Sequence, residues 1–233
     1  MSNNNHNGDQ SFSREDIHAG EIAGHLEHIN HEFADGFEFL KKYPKSVTVF
    51  GSSVAPVTDE YYKKACELTG RIVKELKYAI ITGGGPGIME AANKGAYEAN
   101  GVSLGLNVSI PHERITNAYV THAIKFSYFF SRKVMLMFAA EAYVFFPGGF
   151  GTFDELFNVL TLIQTEKIPR VPVVLYGSEY WNAFKSFLSD HMCKRFKVID
   201  DKDVNLFEIT DSIDRVLEIV QKASVSEWWR NIN

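Results

Sequence analysis

The stretch PGGFGTFDE, residues 147–155, follows the apolar run Tyr143–Phe146 and opens a helical pattern. It reads as a strand that ends in a glycine turn and hands over to a helix. Gly148, Gly149 and Gly151 let backbone amides approach a ligand closely, and a helix N-terminus adds unpaired N–H groups and the positive end of its dipole. With the hydroxyl of Thr152 and the carboxylate of Glu155 one turn in, the stretch is a candidate phosphate cradle. TFDE also fits a capping box, in which Thr152 and Glu155 satisfy each other's backbone amides and bind nothing else.

A second turn of this kind lies upstream, where the apolar strand Tyr78–Ile81 runs into TGGGPG (82–87) and the helical stretch Ile88–Asn100. Gly84 and Gly85 are candidate ligand contacts there, and a tight turn that needs glycine for packing is the competing reading. Glu90, one turn into that helix, is either a partner for the helix dipole or a carboxylate near the ligand. Open α/β sheets bind ligands at the carboxyl ends of their strands, so two parallel strands would put both turns on one rim.

Outward from these turns, strands and helices alternate. Strands are expected at Val47–Phe50, Tyr78–Ile81, Val102–Val108, Ala142–Phe146 and Val171–Tyr176, with short ones at Tyr119–Ile124 and 204–210. Helices are expected at Asp59–Leu76, Gly87–Asn100, Phe129–Ala140, Thr152–Thr165, Glu179–Met192 and Asp211–Lys222. The rhythm is that of a doubly wound, mostly parallel α/β sheet with helices on both faces. Residues 1–13 are polar and Asn-rich and read as a disordered tail. Residues 14–44 carry Ile17, Ile22, Leu26, Ile29, Phe33, Phe37 and Leu40 at spacings of three to five, a helical extension that packs on the sheet or on a partner chain. Residues 45–222 form the nucleotide-binding domain, and 223–233 a C-terminal tail.

The 233 residues are 45% apolar, enough for one full core, and the formal charge of −5 provides no global field for nucleic acid. Cys66 and Cys193 form no CxxC or metal-like cluster, which points to a reducing compartment without a disulfide scaffold. His18, His25, His28 and His31 lack clustered carboxylate or cysteine partners, so no metal site is expected. No apolar run approaches the ~20 residues of a membrane span, and the N-terminus does not resemble a signal peptide. The expectation is a cytoplasmic enzyme or binding protein with no membrane partner.

A dinucleotide fingerprint fails, because its third glycine comes too early at Gly87 and Leu106-Asn107-Val108 holds no acid for the ribose hydroxyls. No GxxxxGK[ST] occurs either, which excludes a P-loop. A mononucleotide or sugar phosphate remains. Arg132 and Lys133 follow Phe129-Phe130-Ser131 near a helix start, where the dipole disfavours cations. That broken rule points to function, against a solvated helix face as the alternative.

GGGPGIMEAANKG (83–95), FSRK (130–133) and PGGFGTFDE together resemble the LOG family, over roughly residues 45–180. Its founding members are cytokinin riboside 5′-monophosphate phosphoribohydrolases, and its bacterial relatives include nucleotide 5′-monophosphate nucleosidases. The resemblance implies a Rossmann-like homodimer that hydrolyses the N-glycosidic bond of a nucleoside monophosphate, with no metal or redox cofactor. It places the catalytic arginine at Arg132, the catalytic glutamate at Glu155 and the second cation at Lys133. Gly149, Phe150, Gly151 and Thr152 match the phosphate loop, with Gly148 beside them, and Pro111-His112-Glu113 looks like a segment that brings Glu113 to the substrate. Glu90 and residues 1 to about 44 depart from the short plant-type pattern. Such proteins have also carried the label "possible lysine decarboxylase", for which the sequence holds no recognisable pyridoxal phosphate lysine context. A fold alone proves no chemistry, so a nucleotide-binding sensor or carrier, including a molybdenum-cofactor carrier, is the alternative.

Overall fold

Short strands buried on both faces need a helix layer on either side, and this requirement organises the chain. The computed structural model describes residues 19–108, 116–138 and 140–223. Its seven strands are β1 (Ser46–Phe50), β2 (Ala79–Thr82), β3 (Ser103–Val108), β4 (His122–Phe126), β5 (Ala142–Phe145), β6 (Val173–Tyr176) and β7 (Glu208–Thr210). They form one sheet in the order β4-β3-β2-β1-β5-β6-β7. Every pairing is parallel.

The helices are α1 (Ala19–Leu40), α2 (Glu60–Arg71), α3 (Ile88–Glu98), α4 (Phe129–Phe138), α5 (Phe150–Gln164), α6 (Ser178–Ser186) and α7 (Ile213–Lys222). Alternate residues of the strands feed two cores. Phe50, Ile81, Leu104, Leu106, Phe145 and Leu175 face the layer built by α1, α4, α5 and α6. Val47, Val49, Ile80, Val144, Phe146 and Val174 face the layer built by α2, α3 and α7. Phe50 and Phe145 stack across the β1–β5 seam at 4.8 Å between ring centroids. Each such fully buried side chain contributes about 1.5–3 kcal/mol, so this seam is a strong anchor for the loops above it.

The expected elements occur with shifted ends, for identifiable reasons. Asp59 caps α2, accepting from the amides of Tyr61 and Tyr62, so the helix proper starts at Glu60. After Arg71 it continues as a π-helical stretch, Ile72–Leu76, and α6 does the same over Phe187–Arg195. Apolar periodicity does not register that change of hydrogen bonding. The strand expected at Tyr119–Ile124 is displaced to His122–Phe126. There Asn117 Oδ1 accepts from the Tyr119 amide at 3.1 Å, an Asx turn that holds the preceding residues out of the ladder. Within 204–210 only Glu208–Thr210 pairs, after a 3₁₀ turn at Asp203–Asn205. The tail at 1–13 and residues 224–233 lie outside the described residues, as does Glu113.

From β1 the chain builds outward to β4, then crosses back to place β5 on the other side of β1. The loops after β1 and β5 therefore flank a topological switch point, the crevice where α/β sheets hold ligands.

Candidate active site

Three loops meet at that rim, and the Gly51-Ser52-Ser53 turn after β1 ties them together. The Ser52 amide donates to the Pro147 carbonyl at 2.9 Å, and the Ser52 carbonyl accepts from the Ile88 amide, also at 2.9 Å. Gly87 makes this approach possible: its φ is +70°, and a side chain there would run into the backbone of Ser52 and Ser53. Sequence reading passed over Ser52. Its signal was a Gly-Ser-Ser turn at the end of the first strand, next to the switch point.

The two glycine turns differ in what their missing side chains make room for. At Gly83, Gly84 and Gly85 the space is taken by the chain's own Arg132, Asn107 and Met89. A buried polar network sets this turn. Thr82 Oγ1 accepts from the Gly84 amide at 2.9 Å and donates to Asn93 Oδ1 at 2.6 Å. Asn117 Nδ2 donates to the carbonyls of Gly84 and Gly85 at 3.2 and 3.0 Å. At Gly149 and Gly151, by contrast, an added Cβ meets nothing within 4 Å. Gly148 is a packing glycine: a side chain there would strike Thr152 and the Ser52 amide. Its carbonyl accepts from the Tyr180 hydroxyl at 2.6 Å.

The helix after PGGFGT starts earlier than the capping box requires. Gly149 is the cap of α5, and the amides of Thr152 and Phe153 return to the Gly149 carbonyl at 3.0 and 3.1 Å. Thr152 is thus already inside the helix, so the Thr152–Glu155 capping box does not form. Phe150 is exposed, whereas Thr152 and Glu155 are buried. Glu155 Oε2 finds no hydrogen-bond partner among the described residues. Burial pushes the Glu155 carboxyl from its ordinary 4.5 up to about 7, Asp154 adds to the rise, and the charges of Lys133 and Arg132 oppose it. A buried carboxyl that titrates near neutrality beside two cations suits proton transfer or the stabilisation of positive charge.

Those cations stand on α4. Arg132 Nε donates to the Leu106 carbonyl at 2.7 Å and Nη2 to the Gly83 carbonyl at 3.4 Å, which fixes the guanidinium across the ends of β2 and β3. Its carbon lies 5.8 Å from the Phe129 ring centroid. Lys133 Nζ pairs with Asp154, the neighbour of Glu155, at 2.5 Å. The structure thus brings Arg132, Lys133 and Glu155 together with Gly149, Gly151 and Thr152. Glu90 faces α2, accepting from the Tyr62 hydroxyl at 2.9 Å. Among the described residues no group of three or more His, Cys, Asp or Glu is placed to hold a metal, and no helix is long and apolar enough to cross a membrane.

A family model described as "Possible lysine decarboxylase" matches residues 89–220. A cytokinin riboside 5′-monophosphate phosphoribohydrolase of Rhodococcoides fascians is 29% identical over 153 residues, 62% of this chain and 74% of that protein. One of Arabidopsis thaliana is 25% identical over 188 residues, 79% of each chain. Among solved structures, the molybdenum cofactor carrier protein of Chlamydomonas reinhardtii superposes with a TM-score of 0.58 at 20% identity, covering 77% of this chain and 97% of that one. At that identity the likeness is one of fold alone.

Proposed function

We propose, from the premise that the chain belongs to the LOG family described as possible lysine decarboxylase, that it is a nucleoside 5′-monophosphate phosphoribohydrolase. Its substrate is AMP-like or a cytokinin riboside monophosphate, and its products are free base and ribose 5-phosphate. The observation that carries this reading is Glu155: a buried carboxyl with an oxygen unpartnered among the described residues, titrating near 7, set beside the open N-terminus of α5. The relatives' names support the class of reaction. The decarboxylase description finds no support at the rim, where Lys133 is held in an ion pair with Asp154 instead of being presented as a free amine.

Cleavage of the ribosyl bond sends its electron pair to the base and builds positive charge on the anomeric carbon. Glu155, ionised, stabilises that charge and accepts a proton from the attacking water, whose oxygen bonds to the carbon. The departing base nitrogen takes up a proton from solvent, and Glu155 returns the proton it accepted to solvent, so one water is consumed per bond broken. The 5′-phosphate sits at the amides of the α5 N-terminus, where Gly149 and Gly151 leave room and Thr152 adds its hydroxyl. Arg132 fixes phosphate or ribose, or stabilises charge on the leaving side, with its fork of donors. Binding energy from the unreacting phosphate then holds the anomeric carbon against Glu155, so nucleosides without phosphate react poorly. The active form is proposed to be a homodimer, checked by light scattering.

The test is incubation with AMP, GMP, CMP, UMP and isopentenyladenosine monophosphate, with free base followed by chromatography, alongside Glu155→Gln. Release that is lost in the variant supports the reading and ranks the bases. Nucleotide binding without release by the wild type moves the assignment to a sensor or carrier.

A further inference from the structure

The helix that carries Arg132 and Lys133 begins with no acid in its first turn. An anion is supplied to it from elsewhere in the chain. Glu32, in the second half of α1, is buried, with 7% of its surface exposed. It accepts from the amides of Ser127 and Tyr128 and from the Ser131 hydroxyl, all at the N-terminus of α4. Burial raises the carboxyl's pKa, but these hydrogen bonds outweigh it and hold the pKa below the ordinary value. A buried charge is retained only where donors compensate it, and here the donors are two amides that lead into α4 and a hydroxyl in its first turn.

The rest of α1 is fitted to the same helix. A side chain at Gly36 would collide with Met135, Phe37 packs edge-on against Phe138 at 5.4 Å, and the rings of His25 and His28 meet Tyr128. His28 Nε2 lies 3.7 Å from Glu32. All of α1 precedes residue 89, where the match to the family model begins.

We propose that Glu32 is a positioning residue: delivered by the N-terminal helix, its carboxylate fixes the first turn of α4 and so sets where Arg132 and Lys133 stand over the site. The proposal rests on the reading of α4 as the carrier of substrate-binding cations. It also accounts for the adjacent cations near a helix start, because the dipole is answered by an acid distant in sequence.

The test compares the full-length wild type with Glu32→Gln, which keeps the volume, Glu32→Asp, which keeps the charge, and Glu32→Ala. Each is also combined with Arg132→Ala. Base release from AMP and amide hydrogen exchange over residues 127–133 are measured. The expected result is a fall in kcat/KM of about tenfold or more per folded molecule in Glu32→Gln and Glu32→Ala, with partial rescue by Asp and faster exchange confined to the start of α4. In the Arg132→Ala background, the Glu32 substitutions should add little further loss, because both act through one element. Wild-type kcat/KM in folded Glu32 variants overturns the proposal and leaves the proposed function standing, as does full additivity with Arg132→Ala. If the wild type releases no base from AMP, GMP, CMP, UMP or isopentenyladenosine monophosphate, the proposed function fails instead. Glu32 is then judged by hydrogen exchange and by calorimetry with AMP: unchanged exchange and affinity in Glu32→Gln overturn it.

Discussion

Glu155→Gln should stabilise the protein at alkaline pH while abolishing turnover, and the size of the effect follows from the burial of the carboxyl. The folded protein holds the Glu155 proton up to about pH 7, whereas an unfolded carboxyl releases it near 4.5. Between those values the native state binds more protons than the unfolded chain, so stability falls as pH rises and is flat beyond both. At ~1.4 kcal/mol per pH unit, the penalty reaches about 3 kcal/mol above pH 7. Glutamine has nearly the same shape and no ionisation, so it escapes that penalty. Its amide carries its own burial cost, which does not depend on pH. The readout is therefore how the stability difference between variant and wild type changes between about pH 5 and about pH 8, measured by urea unfolding. The difference should move by about 2–3 kcal/mol in favour of Gln, or roughly 5–10 °C in thermal midpoint for a chain of this size. A pH-independent difference would refute the reasoning, since Glu155 would then titrate alike in both states.

The acid limb of kcat/KM for base release should lie near pH 7 in the free enzyme, reporting Glu155. Lys133→Met removes an opposing cation and should move the limb to higher pH, whereas Asp154→Asn removes an acid and releases Lys133, moving it lower; shifts of the same sign in both would reject the electrostatic account. Gly151→Ala places a methyl group in open space within α5, so the fold should hold or gain up to about 1 kcal/mol while AMP binding by calorimetry weakens. Unchanged affinity in that variant would take the phosphate away from this helix start. Gly87→Ala should unfold the protein at lower temperature by calorimetry, because its φ of +70° and the Ser52 carbonyl both exclude a side chain.

The sheet was legible because its signals are local: apolar runs of strand length, all but Val102–Val108 followed by a turn and a helical period. The PGGFGT helix start was legible for the same reason, but its register was not. A capping box is a match of residue types at a spacing. Here Gly149 takes the cap position, and Thr152 and Glu155 fall on the buried face of the first turns of α5. What remained hidden depends on contacts between distant segments. Ser52 is marked only by its strand end, Asn117 by nothing until the turn at Gly84 folds over it, and Glu32 reads as one more charge on an amphipathic stretch. Each becomes significant only when the topology brings its partner near, at sequence separations that periodicity does not reach.

The same logic explains why the carboxyl is buried at all. A solvated glutamate would be fully ionised at neutral pH at no cost, but its field on a bound sugar would be screened. Buried at the rim, Glu155 carries a penalty in the free protein that a cation appearing next to it would relieve. The neutral ground-state ribose offers no such cation, whereas the oxocarbenium-like transition state does, so the attraction is greatest where the barrier lies. Lys133 would compete for this role if it were free, and Asp154 occupies it. The ion pair therefore directs the Lys133 ammonium to Asp154, so that it acts on the carboxyl only through its field. On this account Asp154→Asn should do more than move the pH profile. By letting Lys133 neutralise Glu155, it should lower kcat by about tenfold or more while leaving KM for AMP nearly unchanged, which steady-state kinetics would measure directly. A rise in KM with kcat intact would instead assign Asp154 to ground-state binding.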